Sequence, residues 1–238
     1  MKIVGYSDIG RVRKENQDAF WFNDPSQNSC IAVVCDGMGG INGGRAASSI
    51  AVQSVRDFVQ NHSMTGNTEK KFRNLIGQCN RAVLNGAKEN PEYIGMGTTM
   101  VLTLIQDQSI SMANIGDSRG YHITNGSIHQ VTKDHSAVQQ LVDNGQLTER
   151  QAKIHPNRNI ITRALGIEEE AEFDFFEFTA AEGDVILLCS DGLTNFVDEN
   201  EIQFEAAGGA FEDLPRRLID LANSRGGADN ITVVAIQI

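Results

Sequence analysis

Short apolar segments rich in β-branched residues recur along the chain, and we interpret them as strands. Each is bounded by Gly, Asp or Asn, residues that favour the turns between strands. The predicted strands span 31–35, 100–105, 109–115, 185–189 and 231–238. Polar tripeptides at 106–108 and 124–126 predict two hairpin turns.

Apolar residues spaced three and four apart predict helices between these strands. One face of the first helix carries Ala47, Ala51, Val55, Phe58 and Val59. One face of the second carries Phe72, Leu75, Ile76, Cys79, Ala82, Val83 and Ala87. A third helix contains Leu214, Leu218 and Leu221 and ends at Gly226-Gly227, and a short one begins at Asp198, which Glu201 completes as a capping box.

The order of these elements indicates an α+β fold. Strands are followed by two adjacent helices, then by several strands, and finally by a helix and a strand, so the chain does not alternate strand and helix strictly. This order favours antiparallel sheets with segregated helices. The polar stretch 137–163 lacks a strand pattern and predicts a short helix pair around Leu141, Gln146 and Leu147. We interpret 138–160 as a flap within a single domain that spans 1–238.

Composition narrows the possible partners and the compartment. The 238 residues carry a formal net charge of −11, so nucleic-acid and anionic-membrane partners are not expected, because both require a basic face. The N-terminus lacks a signal-like apolar segment, and no stretch approaches the length of a membrane span. Four cysteines without a C-x-x-C pair disfavour a zinc ribbon and fit buried thiols in the cytoplasm: Cys30, Cys35, Cys79 and Cys189.

Aspartates stand at the ends of four of the apolar segments. Asp36, Asp117 and Asp191 each follow one, and Asp229 immediately precedes the last. Any one of them alone is most simply a turn residue. Carboxylates gathered in one place repel each other, and the usual compensation is a hard cation such as Mg²⁺ or Mn²⁺. The sequence does not show whether the four tips meet.

Two neighbouring features have an ordinary and a functional interpretation. The glycine-rich run 37–44 lacks the Gly-Lys-Ser/Thr of a nucleotide loop, and Asn42 breaks the G-x-G-x-x-G spacing. Its glycines are better explained by close approach of the backbone to a metal, with the Gly37 carbonyl as a ligand. Arg13 is either a solvated charge or a bidentate phosphate clamp.

Eight short motifs together resemble the bacterial PPM-type (protein phosphatase 2C) serine/threonine phosphatases. They appear in the family's order and spacing over essentially the whole chain, which makes the combination far more specific than any single motif. The motifs are Ser7-Asp8-Ile9-Gly10 with Val12-Arg13 and Asn16-Gln17-Asp18, Asp36-Gly37-Met38-Gly39-Gly40, Gly97-Thr98-Thr99, Gly116-Asp117-Ser118-Arg119, Asp134-His135-Ser136, Thr162-Arg163-Ala164-Leu165-Gly166, Ser190-Asp191-Gly192-Leu193 and Asp229-Asn230.

The resemblance implies a four-layer αββα sandwich with two Mn²⁺ or Mg²⁺ ions at one end. Asp36 would bridge both ions, while Asp191 and Asp229 would complete the first site. The Gly37 carbonyl would bind the second ion, and Asp18 would hold the waters of that ion. Water that bridges two cations has a lowered pKa and supplies hydroxide near neutral pH, so no covalent phosphoenzyme is required.

Further roles follow from the same resemblance. Arg13 would hold the phosphate, and Asp117 would share a third, weaker ion with Asp191. Animal relatives have a histidine, a proposed general acid, where this chain has Met38, which cannot donate a proton. The acid would then be metal-bound water or another residue, such as His135. The residues expected to support the site are Met38, Thr99, Asp134, His135 and Asn230.

The expected protein is a monomeric enzyme that acts on phosphoserine and phosphothreonine proteins and opposes a bacterial serine/threonine kinase. The alternative from another class is a pseudophosphatase, a binding module that kept the fold. The chain has the complete set of candidate metal ligands, and this favours the enzyme over the pseudophosphatase. A stress-type switch phosphatase would share the chemistry but usually carries sensor domains, and none is visible.

Overall fold

The computed structural model describes residues 1–25 and 29–238, which form two antiparallel sheets. The strands are β1 (Lys2–Asp8), β2 (Asp18–Phe22), β3 (Ser29–Met38), β4 (Gly97–Thr98), β5 (Met100–Gln106), β6 (Ser109–Ile115), β7 (Arg119–Thr124), β8 (Ser127–Gln130), β9 (Asp174–Thr179), β10 (Val185–Cys189) and β11 (Ile231–Gln237). One sheet has the order β1-β11-β10-β7-β8, and the other has the order β2-β3-β5-β6-β9, with β4 paired to β3. The first and last strands of the chain are therefore neighbours.

Helices cover both outer faces of this pair of sheets. They are α1 (Gly40–Asn61), α2 (Thr68–Glu89), α3 (Ala137–Asp143), α4 (Glu149–Lys153), α5 (Asp191–Thr194), α6 (Glu199–Ala207) and α7 (Leu214–Ser224). Single 3-10 turns occur at Pro91–Tyr93 and Phe211–Asp213. No helix among the described residues combines the length and apolar character that crossing a bilayer demands.

The alternation of side chains along β3 explains how the layers stack. Ile31, Val33 and Cys35 face α1 and α2, with partners such as Phe72. The residues between them belong to a second apolar cluster shared with β10 and β11 of the other sheet. A strand places successive side chains on opposite faces, so β3 contributes to a helix–sheet core and a sheet–sheet core at once.

A third apolar cluster completes the αββα sandwich. Leu187 and Val233 of the first sheet pack against Leu218 and Ile219 of α7. Three cores between four layers bear out the predicted α+β sandwich. They also explain the near-continuous hydrophobic segments of β10 and β11, because both faces of these strands are buried.

The predicted elements are largely confirmed. All five predicted strands are present, Asp198 and Glu201 form the capping box of α6, and the bends at Asp107 and Asn125 have positive φ. The glycine-rich run 37–44 covers the end of β3 and the start of α1 at Gly40. The four cysteines are buried free thiols.

The segment 137–163 contains the predicted helix pair, α3 and α4. Leu141 lies in α3, whereas Gln146 and Leu147 lie in the connection between the helices. Two backbone hydrogen bonds close the base of the segment, from Thr162 N–H to His135 O at 2.7 Å and from Ala137 N–H to Ile160 O at 2.8 Å. Residues 138–160 therefore leave and rejoin the rest of the fold at neighbouring points.

Candidate active site

Two carboxylates face each other across β2 and β3. Asp18 is the register partner of Asp36 in this antiparallel pair. Asp36 shares the side of β3 that carries Val34, which lies in the core between the sheets. Both carboxyl groups thus lie at one end of the space between the two sheets.

The Asp18 side chain connects the sheets. Its Oδ2 accepts hydrogen bonds from Ser190 Oγ at 2.8 Å and Thr232 Oγ1 at 2.7 Å, while its Oδ1 is buried without a hydrogen-bond partner. Burial raises the pKa of Asp18 to about 7, against the opposing effect of the two hydroxyl donors. The Asp18 carboxyl group has therefore lost much of its hydration, and hydrogen bonds from the protein replace that hydration only in part.

The Asp36 backbone is fixed by two threonines. Asp36 N–H donates to Thr99 Oγ1 at 2.9 Å, and Asp36 O accepts from Thr98 Oγ1 at 2.9 Å. Burial raises the pKa of Asp36 well above its ordinary value, and the charges of Asp18 and Asp191 raise it further. An acidic group in this position is stable as a carboxylate only if positive charge compensates it.

Asp191 and Asp229 approach Asp36 from the other sheet. Asp191 is the first residue of α5, directly after β10, and its Oδ2 accepts from Asn195 Nδ2 at 3.0 Å. Its Oδ1 is buried and unpartnered, and burial followed by the charge of Asp229 raises its pKa. Asp229 precedes β11 and accepts at Oδ1 from the backbone N–H of Asn230 at 2.9 Å.

Asp117 lies at the edge of this group. It follows β6, and its neighbour Ser118 shares a 2.7 Å hydroxyl contact with Thr99, so one threonine connects the Asp117 and Asp36 segments. Burial raises the pKa of Asp117 well above its ordinary value, and the charge of Asp191 adds to this. The charges of Asp117, Asp191 and Asp229 all act on Asp36, so the four aspartates at segment ends lie near one another.

Arg13 lies on the rim beside Asp229. Its Nη2 donates to Asp229 Oδ2 at 2.8 Å, and the Arg13 side chain is about half exposed, at 52%. This hydrogen bond is the main cause of a raised Arg13 pKa. The loop that carries Arg13 is held by Asn230, whose Nδ2 donates to Ile9 O at 3.0 Å and Glu15 O at 2.9 Å.

Gly37 lies where β3 passes closest to the start of α1. A Cβ atom at this position would lie 2.0 Å from Gly44 O and 2.6 Å from Gln17 O, so only glycine fits. The next residue, Met38, pairs with Gly97 of β4 and is half-buried. Met38 belongs to the same side of β3 as Asp36 by strand alternation.

The donor set fits hard divalent cations. Two buried carboxylate oxygens, Asp18 Oδ1 and Asp191 Oδ1, have no hydrogen-bond partner, and oxygen ligands are what Mg²⁺ and Mn²⁺ prefer. Within 1–25 and 29–238 no three acidic, cysteine or histidine side chains form a ready-made cage. Asp229 is instead turned to Arg13, and Asp191 is bonded to Asn195.

A cavity of about 540 Å³ adjoins the acidic centre. Asp117 and Asp191 line one side of it, and flap residues including Val138, Val142 and Lys153 line another. The flap segment and the acidic centre thus border one space, large enough for several side chains of a protein substrate.

Two residues expected to support the site lie close to Asp117 and to this cavity. Asp134 forms a partly buried pair with Arg119, in which the Arg119 Nη2 and Asp134 Oδ2 atoms are 2.7 Å apart. His135 is also buried and contacts Gly116, next to Asp117. Asp134 therefore lines the cavity beside Asp117, whereas His135 is buried next to the Asp117 loop.

The sequence reasoning missed three side chains that bond directly to the aspartates. Ser190 and Thr232 bond to Asp18, and Asn195 bonds to Asp191. Ser190 belongs to one of the motifs and Thr232 follows another by two residues, so their position was a usable signal. Asn195 lies four residues after Asp191, the spacing at which helical side chains meet.

Comparison with known proteins identifies the family to which this fold and site belong. The chain matches the family described as Protein phosphatase 2C over residues 5–231. The serine/threonine phosphatase stp of Listeria welshimeri is 36% identical over 235 residues, covering 97% of this chain and 93% of that protein. The structure of serine/threonine phosphatase Stp1 from Staphylococcus aureus has a TM-score of 0.94 at 37% identity, covering 100% of this chain and 94% of that one.

A further solved structure is the catalytic domain of the serine/threonine protein phosphatase PstP in complex with two manganese ions. It has a TM-score of 0.87 at 32% identity and covers 98% of this chain and 96% of that chain. This neighbour supports the expectation of a metal-dependent phosphatase.

Two packed sheets that gather aspartates beside one arginine define a class, the two-sheet metal-dependent phosphatases. The chain belongs to the protein phosphatase 2C family. The predicted bacterial family and the predicted enzyme class, a protein serine/threonine phosphatase, are confirmed.

Proposed function

We propose that this enzyme removes phosphoryl groups from phosphoserine and phosphothreonine by direct attack of water. The observation that carries the proposal is the gathering of Asp18, Asp36, Asp117, Asp191 and Asp229 at one end of the sandwich, with two buried oxygens unpartnered. Such a centre is stabilised by bound cations and is destabilised by its own charge without them.

Two Mn²⁺ or Mg²⁺ ions are the proposed cofactors. Asp36 would hold both, Asp191 and Asp229 would complete the first site, and the Gly37 carbonyl and Asp18 would serve the second. When bound, such ions lower the pKa of coordinated water and offset negative charge on phosphoryl oxygens. Asp18 suits its role because Ser190 and Thr232 fix its Oδ2 and leave Oδ1 directed elsewhere.

Arg13 is the proposed phosphate-binding residue. Its side chain is on the rim, half exposed, and already bonded to a carboxylate oxygen of Asp229, which shows that it reaches the acidic centre. A phosphate dianion offers the same bidentate acceptor geometry as a carboxylate. Arg13 would exchange one for the other as substrate and cations bind.

A covalent route through cysteine has no support. All four cysteines are buried, and burial raises the pKa of Cys30, Cys79 and Cys189 to about 12. Thiolate, the nucleophilic form, is therefore scarce at neutral pH. Direct hydrolysis fits better.

Asp117 would share a third ion with Asp191. This ion would be bound more weakly than the first two, because Asp117 is the one carboxylate that serves it alone, whereas Asp191 also serves the two-ion centre. The flap 138–160 borders the same cavity and would contact protein substrates. We further propose that residues 1–238 form a single domain that acts as a monomer in the cytoplasm. There it would oppose a cognate serine/threonine kinase. Buried free thiols suit that reducing compartment.

Hydrolysis of para-nitrophenyl phosphate with and without Mn²⁺, and of matched phosphoserine, phosphothreonine and phosphotyrosine peptides, tests the proposal. We expect metal-dependent turnover of the ester and of the first two peptides. Metal-independent turnover would contradict the two-ion centre. Tight binding of phosphopeptides without turnover under any divalent ion would favour the pseudophosphatase alternative.

A further inference from the structure

His135 joins three segments that are distant in sequence. It precedes the flap, its ring contacts the loop that follows β6, and its other side faces the start of β9. We propose that His135 is a positioning residue that sets the conformation of the Gly116 loop, and through that loop the direction of the Asp117 carboxylate. The part that concerns Asp117 rests on the proposed function, whereas the part that concerns Gly116 does not.

Gly116 is held on both of its backbone polar groups by the same residue. Gly116 N–H donates to His135 Nδ1 at 3.2 Å, and His135 N–H donates to Gly116 O at 2.9 Å. Asn114 Nδ2 adds a second donor to Gly116 O at 3.2 Å. The carbonyl therefore has an alternative partner, but among the described hydrogen bonds the buried N–H has only the imidazole.

The Gly116 backbone has a conformation that other residues rarely adopt. Its φ is +96°, and a Cβ atom there would lie 2.5 Å from Thr99 Cγ2. Glycine is entropically free to leave such a conformation, so it has to be held from outside. The next residue is Asp117, so a rotation at Gly116 redirects its carboxyl group.

The other imidazole nitrogen fixes the ring. Because Nδ1 accepts from Gly116, the neutral ring carries its proton on Nε2, which lies 3.2 Å from Asp174 Oδ2 and 3.1 Å from Arg163 Nη1. Arg163 Nη1 donates to the second oxygen of Asp174 at 3.0 Å. The acceptor that faces Gly116 is thereby locked in position through the first residue of β9.

These contacts do not support His135 as the general acid. Its Nδ1 carries no proton while it accepts from Gly116, and its Nε2 proton is engaged by Asp174. Burial, the main cause, lowers the pKa of His135, so the ring is mostly neutral at physiological pH. It is 8% exposed and lies behind the Asp117 loop.

Two substitutions separate the two ring nitrogens. His135→Asn places an amide oxygen near the position of Nδ1 and keeps an acceptor for Gly116. His135→Gln extends its amide toward the Nε2 position and leaves Gly116 N–H without an acceptor. If His135 only filled space, the two variants would protect the Gly116 amide equally. The proposed role predicts that they protect it differently.

Hydrogen exchange of the Gly116 amide in the metal-free protein gives a readout that involves neither metal nor activity. We expect protection to be kept in His135→Asn and to fall about tenfold in His135→Gln, the effect of losing one buried hydrogen bond. Equal protection in both variants would overturn the proposal. Should His135→Gln fail to fold, Asp174→Ala is the second variant: it removes the group that fixes the ring, so protection of the Gly116 amide should fall, and unchanged protection would overturn the proposal.

The consequence for Asp117 is tested by a double-mutant cycle with Mn²⁺ as the metal. We expect His135→Gln to lower kcat roughly three- to tenfold in the wild-type background and to have no further effect in Asp117→Ala, because coupled residues are not additive. Full additivity would overturn the link between His135 and Asp117. If Asp117→Ala alone leaves kcat unchanged, the role proposed for Asp117 fails, while Gly116 exchange still decides the role of His135.

Discussion

Asp18 and Asp36 are direct cross-strand partners on β2 and β3, two acidic groups in register inside the same end of the sandwich. Like charges directly opposite each other destabilise a sheet. Burial raises the pKa of Asp18 to about 7 and raises that of Asp36 well above its ordinary value. The fold therefore contains a destabilising pair of acidic side chains at the position where the proposed ions would bind.

The first prediction is that the metal-free protein becomes less stable as pH rises from about 4 to about 7. The folded state binds more protons than the unfolded chain between an ordinary Asp pKa of 3.8 and the Asp18 value of about 7, so stability is greatest below this window and is lost through it. Thermal unfolding in chelator measures the slope. Asp18→Asn should flatten it and Mn²⁺ should reverse it, and an unchanged slope in the variant would contradict the assignment.

The second prediction is that Asp36→Asn abolishes turnover, by a factor on the order of a thousand or more, because it removes the carboxylate assigned to both ions. The fold should survive, since a repelling charge is removed, and unfolding in chelator should occur at an equal or higher temperature. Asp220→Asn on the exposed face of α7 is the matched control. Substantial activity in Asp36→Asn would sink the two-ion mechanism.

The third prediction concerns the pair of Arg13 and Asp229. Arg13→Ala should raise KM for para-nitrophenyl phosphate about tenfold and lower kcat less, because a phosphate clamp acts on bound substrate and transition state alike. Lys14→Ala removes an exposed charge from the same loop and should leave KM within about twofold. An unchanged KM in Arg13→Ala returns Arg13 to a solvated charge.

Local sequence patterns were sufficient for most of the elements that line the site. The strands β3, β5, β6, β10 and β11 are buried and read as apolar segments, and the helices show clear periodicity. Six of the strands that the structure describes were not predicted. Four of them, β1, β2, β8 and β9, are only partly buried and carry polar or aromatic residues in mixed order, and the other two are the two-residue β4 and the central β7. Peripheral strands leave a weaker pattern than central ones.

Pairing across long separations could not be predicted from local pattern at all. The register of β2 and β3 sets Asp18 against Asp36, and that of β1 and β11 joins the two ends of the chain. The likeness to a family indicated the aspartates. The hydroxyl donors to Asp18 and the salt bridge between Arg13 and Asp229 required coordinates.

The fourth prediction is that Met38→Leu keeps most activity, within about threefold, because the side chain has no proton to donate and the substitution nearly conserves volume. Met38→Lys is the informative opposite, since it introduces a charge beside Asp36 and should weaken metal binding, as measured by Mn²⁺ calorimetry. A loss of several orders of magnitude in Met38→Leu would show that Met38 has an unrecognised part in the reaction.

The fifth prediction separates protein substrates from small ones. The flap projects from a base closed by the bonds of His135 and Ala137 and borders the 540 Å³ cavity beside Asp117 and Asp191. A phosphoprotein has chain on both sides of its phosphorylated residue and would contact the flap, whereas a small ester would not. Replacing 146–157 by a short Gly-Ser linker removes α4 but retains α3 and the base.

We expect this deletion to lower kcat/KM for a phosphoprotein about tenfold and for para-nitrophenyl phosphate less than twofold, since only the former loses contacts. A Gly-Ser segment of the full twelve-residue length, about as long as the part removed, is the control that keeps reach but discards side chains. If the full-length Gly-Ser control loses activity as the deletion does, the lost side-chain contacts account for the effect. If the control keeps the activity of wild type, the length of the segment alone accounts for it. Equal losses on both substrates would mean that shortening disturbs the acidic centre itself, and the flap would then have no part in substrate choice.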